Sequence, residues 1–122
     1  MFANTDNKVI WKNGTYEKWE EASVHLLSHT MHYGTGVFEG VRANKTDAGP
    51  AIFRLQDHTN RLFDAADQLG IKIPYSREEL NQVQKDIFSM NNLDEGYLRP
   101  IVFLGSESLG IRATELSVNV AV

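Results

Sequence analysis

The chain has 122 residues, no cysteine, 12 Lys plus Arg against 16 Asp plus Glu, and a formal net charge of -4. That length suffices for one domain with a real core, the 42 % apolar content is that of a globular chain, the lack of cysteine excludes disulfides and thiolate metal sites, and the lack of a basic stripe disfavours nucleic-acid binding. No apolar run approaches the roughly 20 residues that cross a bilayer, and the start MFANTDNKVIWK has neither the apolar core nor the cleavage site of a signal peptide, so a soluble cytoplasmic protein with no membrane contact is expected.

Residues 1–7 read as a frayed terminus. Lys8 to Lys12 reads as a strand, Asn13-Gly14 as a hairpin turn, and Thr15 to Trp19 as the returning strand. Val24 to Leu27 reads as a short extended piece. Ser28 is placed to cap a helical turn through Met31 that ends near Gly34. Val37 to Ala43 is predicted as a strand, with Phe38, Gly40 and Arg42 on one face and Val37, Glu39 and Val41 on the other. Asn44 to Pro50 is a polar turn, and Ala51 to Leu55 a strand that closes a second hairpin.

Asp57 to Leu69 is predicted as a helix with Leu62, Ala65, Ala66 and Leu69 on its buried face and Gly70 as its stop. His58 and Arg61 lie one turn apart and project to similar sides. Ser76 to Met90 carries an S-x-x-E capping box (Ser76, Glu79) and a stripe of Leu80, Val83, Ile87 and Met90. Tyr97 to Leu104 is an apolar strand in which Pro100 implies an edge or a bulge. Gly105 to Gly110 is a loop, and Leu116 to Val122 a last strand. A chain that stops in an apolar run suggests a piece of something longer; a buried C-terminal strand is the plainer reading.

The densest stretch is His32-Tyr33-Gly34-Thr35-Gly36-Val37-Phe38-Glu39-Gly40-Val41-Arg42. A turn followed by a strand can bring backbone and polar groups to a small ligand, or can be a hairpin corner with no ligand. Its glycines miss the dinucleotide fingerprint by one residue, and they precede a strand where the fingerprint opens a helix, which argues against a nucleotide. His25, His29 and His32 lack the acidic base of an H-E-x-x-H site, so backbone hydrogen bonding at a turn is the commoner role and no metal is assigned. No nucleophile stands out; Ser106 and Ser108 lack the G-x-S-x-G context, and none of the six lysines reads as a desolvated amine. Arg99 shares a face with Tyr97 in an apolar strand and needs a partner. A salt bridge, with Glu39 for instance, and an anionic ligand are two open readings. For Arg61 the pattern alone favours a solvated helical arginine.

Taken together, Ile10-Trp11-Lys12-Asn13-Gly14, Val24-His25 with Ser28-His29, the run 32–42, Gly49-Pro50 through Phe53-Arg54-Leu55, His58 with Arg61-Leu62, Ile73-Pro74-Tyr75 and Tyr97-Leu98-Arg99-Pro100 resemble the N-terminal small domain of the fold-type IV (class IV) pyridoxal-phosphate aminotransferases, above all the branched-chain amino acid aminotransferases. The resemblance spans nearly the whole chain. It implies an α+β fold, an antiparallel sheet of about five or six strands with two helices on one face, and residues 1–122 as a small domain without the large domain that bears the reactive lysine. It further implies that Arg61 binds the phosphate of pyridoxal 5'-phosphate. Tyr33, Phe38, Gly40, Tyr97, Arg99 and Ile111 would line the substrate pocket, with Arg99 receiving a glutamate carboxylate, and Tyr33 and Ile111 reaching across a homodimer or larger homo-oligomer.

The activity implied is transfer of the amino group of leucine, isoleucine or valine to 2-oxoglutarate. No catalytic residue is assigned within the chain, which should be inactive alone. A D-amino acid aminotransferase, an aminodeoxychorismate lyase, and a stand-alone binding or assembly domain are the alternatives.

Overall fold

The structure, a computed structural model, describes residues 5–122. Of the expected frayed terminus, residues 1–4 lie outside the described residues, and 5–8 form a turn closed by Lys8 N–H on the Thr5 carbonyl at 3.1 Å. Strands β1 (Val9–Lys12) and β2 (Thr15–Lys18) form the first hairpin. Asn13 and Gly14 both take positive φ, 49° and 92°, as a two-residue hairpin loop requires.

Val24 to Leu27 form no strand. Their groups are spent locally: the His25 Nδ1 accepts from Leu27 N–H at 3.0 Å, and Ser28 Oγ donates to the His25 carbonyl at 2.7 Å. The hydroxyl of Ser28 is thereby diverted, so α1 (His29–Tyr33) starts without a side-chain cap; it ends at left-handed Gly34 as expected.

The predicted strand 37–43 is divided into β3 (Gly36–Phe38) and β4 (Val41–Thr46), and the predicted strand 97–104 into β6 (Gly96–Leu98) and β7 (Ile101–Leu104). Between them lie β5 (Gly49–Ile52), α2 (Leu55–Gln68) and α3 (Arg77–Met90). The capping box at Ser76 and Glu79 is complete. The last strand is β8 (Val118–Ala121). It is locked to the first hairpin by Val120 N–H on Asn13 Oδ1 at 2.8 Å.

The α+β antiparallel class is as expected, but the strands are shared between two sheets. One has the order β2-β1-β8-β7-β3, the other β5-β4-β6. The cause is the double break at Glu39-Gly40 and Arg99-Pro100, where one antiparallel ribbon leaves the first sheet and enters the second. Register is unbroken across the corner: Phe38 faces Ile101 before it and Val41 faces Leu98 after it. Glu39 N–H donates to the Pro100 carbonyl at 2.9 Å; Pro100 has no N–H to return, so the ladder opens there.

The core draws on both sheets and on α2 and α3, the two long helices: Trp11, Val41, Ala43, Leu62, Ala66, Leu80, Ile87, Phe88, Leu98, Val102 and Val120. Each fully buried large side chain of this set contributes about 1.5–3 kcal/mol by leaving water. Four expected core residues are outside it: Ala65 and Val83 are only half-buried, Val83 packing against the set, and two more lie at helix ends. Leu69 is the C-cap residue of α2, beyond the last turn, and Met90 is the last residue of α3; both are exposed. Gln84 and Phe88 take the buried positions on α3. Gln84 satisfies its amide nitrogen on the Leu80 carbonyl at 3.1 Å.

Candidate functional site

Alternation along the ribbon separates two chemistries. Facing pairs in an antiparallel ladder share a face, so Phe38, Gly40 and Arg42 lie with Ile101, Arg99 and Tyr97 on one side. Val37, Glu39 and Val41 lie with Val102, Pro100 and Leu98 on the other. The second side is turned to the core and buried, Val37 partly so. The first is open: Phe38 and Tyr97 are each 59 % exposed, and Arg42 and Arg99 are exposed.

On the open side four of the expected residues meet. The Arg99 guanidinium carbon lies 4.3 Å from the centre of the Phe38 ring and 5.8 Å from that of Tyr97, a cation–π arrangement worth about 0.5–1 kcal/mol at an exposed site. Arg99 is therefore not the partner of Glu39; the two point to opposite faces of the ribbon. Gly40 is the floor of this wall. A Cβ there would lie 1.8 Å from the Tyr97 hydroxyl, so only glycine lets the phenol lie across the strand. Tyr97, Arg99, Ile101 and Phe103, alternate residues on this face, also line a largely apolar groove of about 960 Å³.

Tyr33 and Ile111 belong to a second place, organised by His29. The buried His29 ring donates from Nε2 to the Gly110 carbonyl at 2.9 Å, leaving Nδ1 to accept from the Thr35 hydroxyl at 2.8 Å. Tyr33 packs on that ring with centroids 4.5 Å apart. Ile111, next to the anchored Gly110, is 86 % exposed. His25 and His32 hydrogen-bond to nearby backbone, His32 Nε2 to the Leu26 carbonyl at 3.0 Å, whereas His29 ties α1 to the distant Gly110; no group of three metal-ligating side chains occurs among the described residues.

Arg61 is reached from the buried side. Glu39, only 5 % exposed, receives both Nε and Nη2 of Arg61, His58 Nδ1 at 2.8 Å and the Gly40 N–H at 3.3 Å. The Arg61 hydrogen bonds hold the Glu39 carboxyl down to about 2 from its ordinary 4.5; burial pushes the other way, and His58 and Gly40 N–H reinforce the lowering. The Arg61 side chain is nonetheless 71 % exposed. Its Nε–Nη2 edge is engaged and the remainder faces outward, so the residue can hold an anion. Residue order leaves Glu39 without a firm partner, although the signals are present: it shares a strand face with Val37 and Val41, a buried carboxylate requires cations, and His58 and Arg61 share a helical side.

Residues 36–122 match the family described as amino-transferase class IV. The chain belongs to the class IV aminotransferase family. It is 53 % identical over 114 residues to the branched-chain-amino-acid aminotransferase of Pseudomonas aeruginosa, covering 93 % of this chain and 37 % of that protein. Against the Escherichia coli K12 protein of the same name it is 41 % identical over 102 residues, 84 % of this chain and 33 % of that one. The crystal structure of Escherichia coli branched-chain amino acid aminotransferase superposes with a TM-score of 0.90 at 38 % identity, over 95 % of this chain and 38 % of that one. The branched-chain aminotransferase of the thermophilic archaeon Thermoproteus uzoniensis, solved with norvaline, gives 0.88 at 33 % identity, over 93 % and 39 %. This class IV aminotransferase chain therefore spans well under half the length of the relatives it matches. No helix among its described residues is long and apolar enough to cross a membrane.

Proposed function

We propose that this chain is the small domain of a pyridoxal-phosphate-dependent branched-chain amino acid aminotransferase, one that moves the amino group of leucine, isoleucine or valine to 2-oxoglutarate and works as a homodimer or larger homo-oligomer. The observation that carries the reading is the wall of Phe38, Gly40, Tyr97 and stacked Arg99, in a chain 53 % identical over 114 residues to a protein of that name. A pocket that serves both substrates must take an apolar side chain and then a carboxylate. Aromatic rings serve the first. An arginine held only by those rings can serve the second and withdraw again.

Arg61 fits the cofactor phosphate because its outward guanidinium edge is free while the other is tied to Glu39. When bound, pyridoxal phosphate supplies the electron sink for chemistry at the substrate α-carbon. On this reading the reactive lysine belongs to a further domain, as the resemblance implies. Lys8 and Lys12 are bonded to the carbonyls of Asn91 and Ser23, Lys45 to Asp94, and Lys18, Lys72 and Lys85 are exposed. Tyr33 and Ile111 are assigned to the rim of a neighbouring subunit's pocket. In a protein that joins this chain to a lysine-bearing domain, leucine with 2-oxoglutarate should outperform D-alanine and aminodeoxychorismate as substrates, and the 122-residue chain alone should transfer no radiolabelled amino group. A preference for D-alanine, or transfer by the chain alone, would overturn the reading.

A further inference from the structure

We propose that Glu39 is a positioning residue for the phosphate end of the cofactor site: from the corner of the ribbon it grips one edge of the Arg61 guanidinium and so presents the other edge to a phosphomonoester dianion. The inference rests on the assignment of Arg61 made above and goes beyond it, since Glu39 itself touches neither cofactor nor substrate.

The geometry is that of a clamp. Arg61 gives Nε–H and one Nη2–H to the two oxygens of Glu39. The Nη1 hydrogens and the second Nη2 hydrogen are left on the outward side of a largely exposed side chain. A lone arginine on a helix surface samples many rotamers, and ordering it costs part of any binding energy it supplies. Here that ordering precedes the ligand. Glu39 is itself held from several sides. Its N–H is bound to the Pro100 carbonyl at 2.9 Å, and its Oε2 accepts from His58 Nδ1 at 2.8 Å and from Gly40 N–H at 3.3 Å.

Position makes this more than a local ion pair. Glu39 lies between Phe38 and Gly40, two residues of the open wall, and directly opposite Pro100, which follows Arg99. One residue at the sheet-to-sheet corner therefore sets where the phosphate anchor stands relative to the wall. A carboxylate near a dianion also repels it. Burial behind the guanidinium, with His58 as a second partner, puts that charge on the far side of Arg61. The net sign is measurable.

The test uses the apo form of a protein that joins this chain to its lysine-bearing domain, titrated with pyridoxal phosphate and with pyridoxal, which lacks the phosphate. Glu39→Gln should raise the Kd for pyridoxal phosphate about 10-fold while that for pyridoxal changes by less than about 2-fold. In an Arg61→Ala background the same change should add nothing, because a positioning residue acts only through what it positions. If Glu39→Gln does not fold, Glu39→Asp, which keeps the charge and retracts it by one methylene, should shift the same ratio in the same direction. Equal weakening of both ligands, no change, tighter binding of pyridoxal phosphate, or a full effect without Arg61 would overturn the role of Glu39 while leaving the aminotransferase reading in place. A wild-type protein that binds neither compound would overturn that reading, and this inference with it.

Discussion

Arg61 and Arg99 both present a guanidinium to solvent from the same corner of the fold, and they are held by opposite means. Arg61 is gripped through two nitrogens by a buried carboxylate. Arg99 has the faces of Phe38 and Tyr97 at 4.3 Å and 5.8 Å. Charge-assisted bidentate bonds fix direction, whereas a cation over a ring is held weakly and tolerates sliding. Under the proposed function the difference matches the ligands. A phosphate stays through every turnover and suits a rigid anchor; a substrate carboxylate comes and goes and suits a movable one.

The comparison can be broken most severely at the rigid anchor. Under the proposed function, in a protein that joins this chain to a lysine-bearing domain, Arg61→Ala should weaken pyridoxal-phosphate binding by about 100-fold, the loss of two charge-assisted hydrogen bonds, read by absorbance titration. Arg99→Leu should leave cofactor affinity unchanged. It should lower kcat/KM for 2-oxoglutarate by a comparable factor, about 100-fold, while kcat/KM for leucine moves less than about 3-fold. If Arg99→Leu affected both substrates alike, the movable-anchor reading would not survive.

A smaller effect is expected at the floor of the wall. Gly40→Ala places a methyl on the Tyr97 hydroxyl; the phenol is 59 % exposed and can shift, so the cost stays at the low end of overpacking, about 1 kcal/mol. The position has no positive φ, so the cost is one of space and not of backbone. Removing the Tyr97 ring in the double variant should recover most of the lost melting temperature by calorimetry. A Gly40→Ala variant as stable as the parent would mean that Tyr97 moves aside freely.

The last prediction concerns pH. Glu39 titrates at about 2 in the fold against an ordinary 4.5, so its ionised form stabilises the folded state. That contribution is fully present above about 4.5, declines as the pH falls from there, and is gone below about 2. Denaturant unfolding of the parent and of Glu39→Gln should therefore differ by a constant amount near neutrality and converge on acidification. Arg99→Leu should show no such convergence, which separates the two arginines by a measurement independent of activity.

Much of this arrangement can be read from residue order. The Asn13-Gly14 hairpin, the capping box at Ser76 and the stop at Gly34 are local chemistry, decided within four residues of chain. The alternation that puts Phe38 and Arg42 opposite Glu39 and Val41 is equally local, because successive side chains in a strand point to opposite faces. The run 32–42 with Tyr97-Leu98-Arg99-Pro100 suffices to indicate the family.

Other features needed the third dimension. Residue order marks Pro100 as an irregularity but does not show that the facing strand breaks at the same level, which turns one predicted ribbon into a corner between two sheets. It offers Glu39 several arginines and does not choose; Arg99 is the nearer candidate by chemistry and lies on the wrong face. The choice of Arg61 was made by packing α2 beneath the ribbon, which brought a residue 22 positions away to a carboxylate already committed to burial. The sequence by itself determined which side chains share a face, since that follows from backbone geometry over a few residues. Only the tertiary structure decided which faces meet, since that depends on how two sheets and two helices exclude water together.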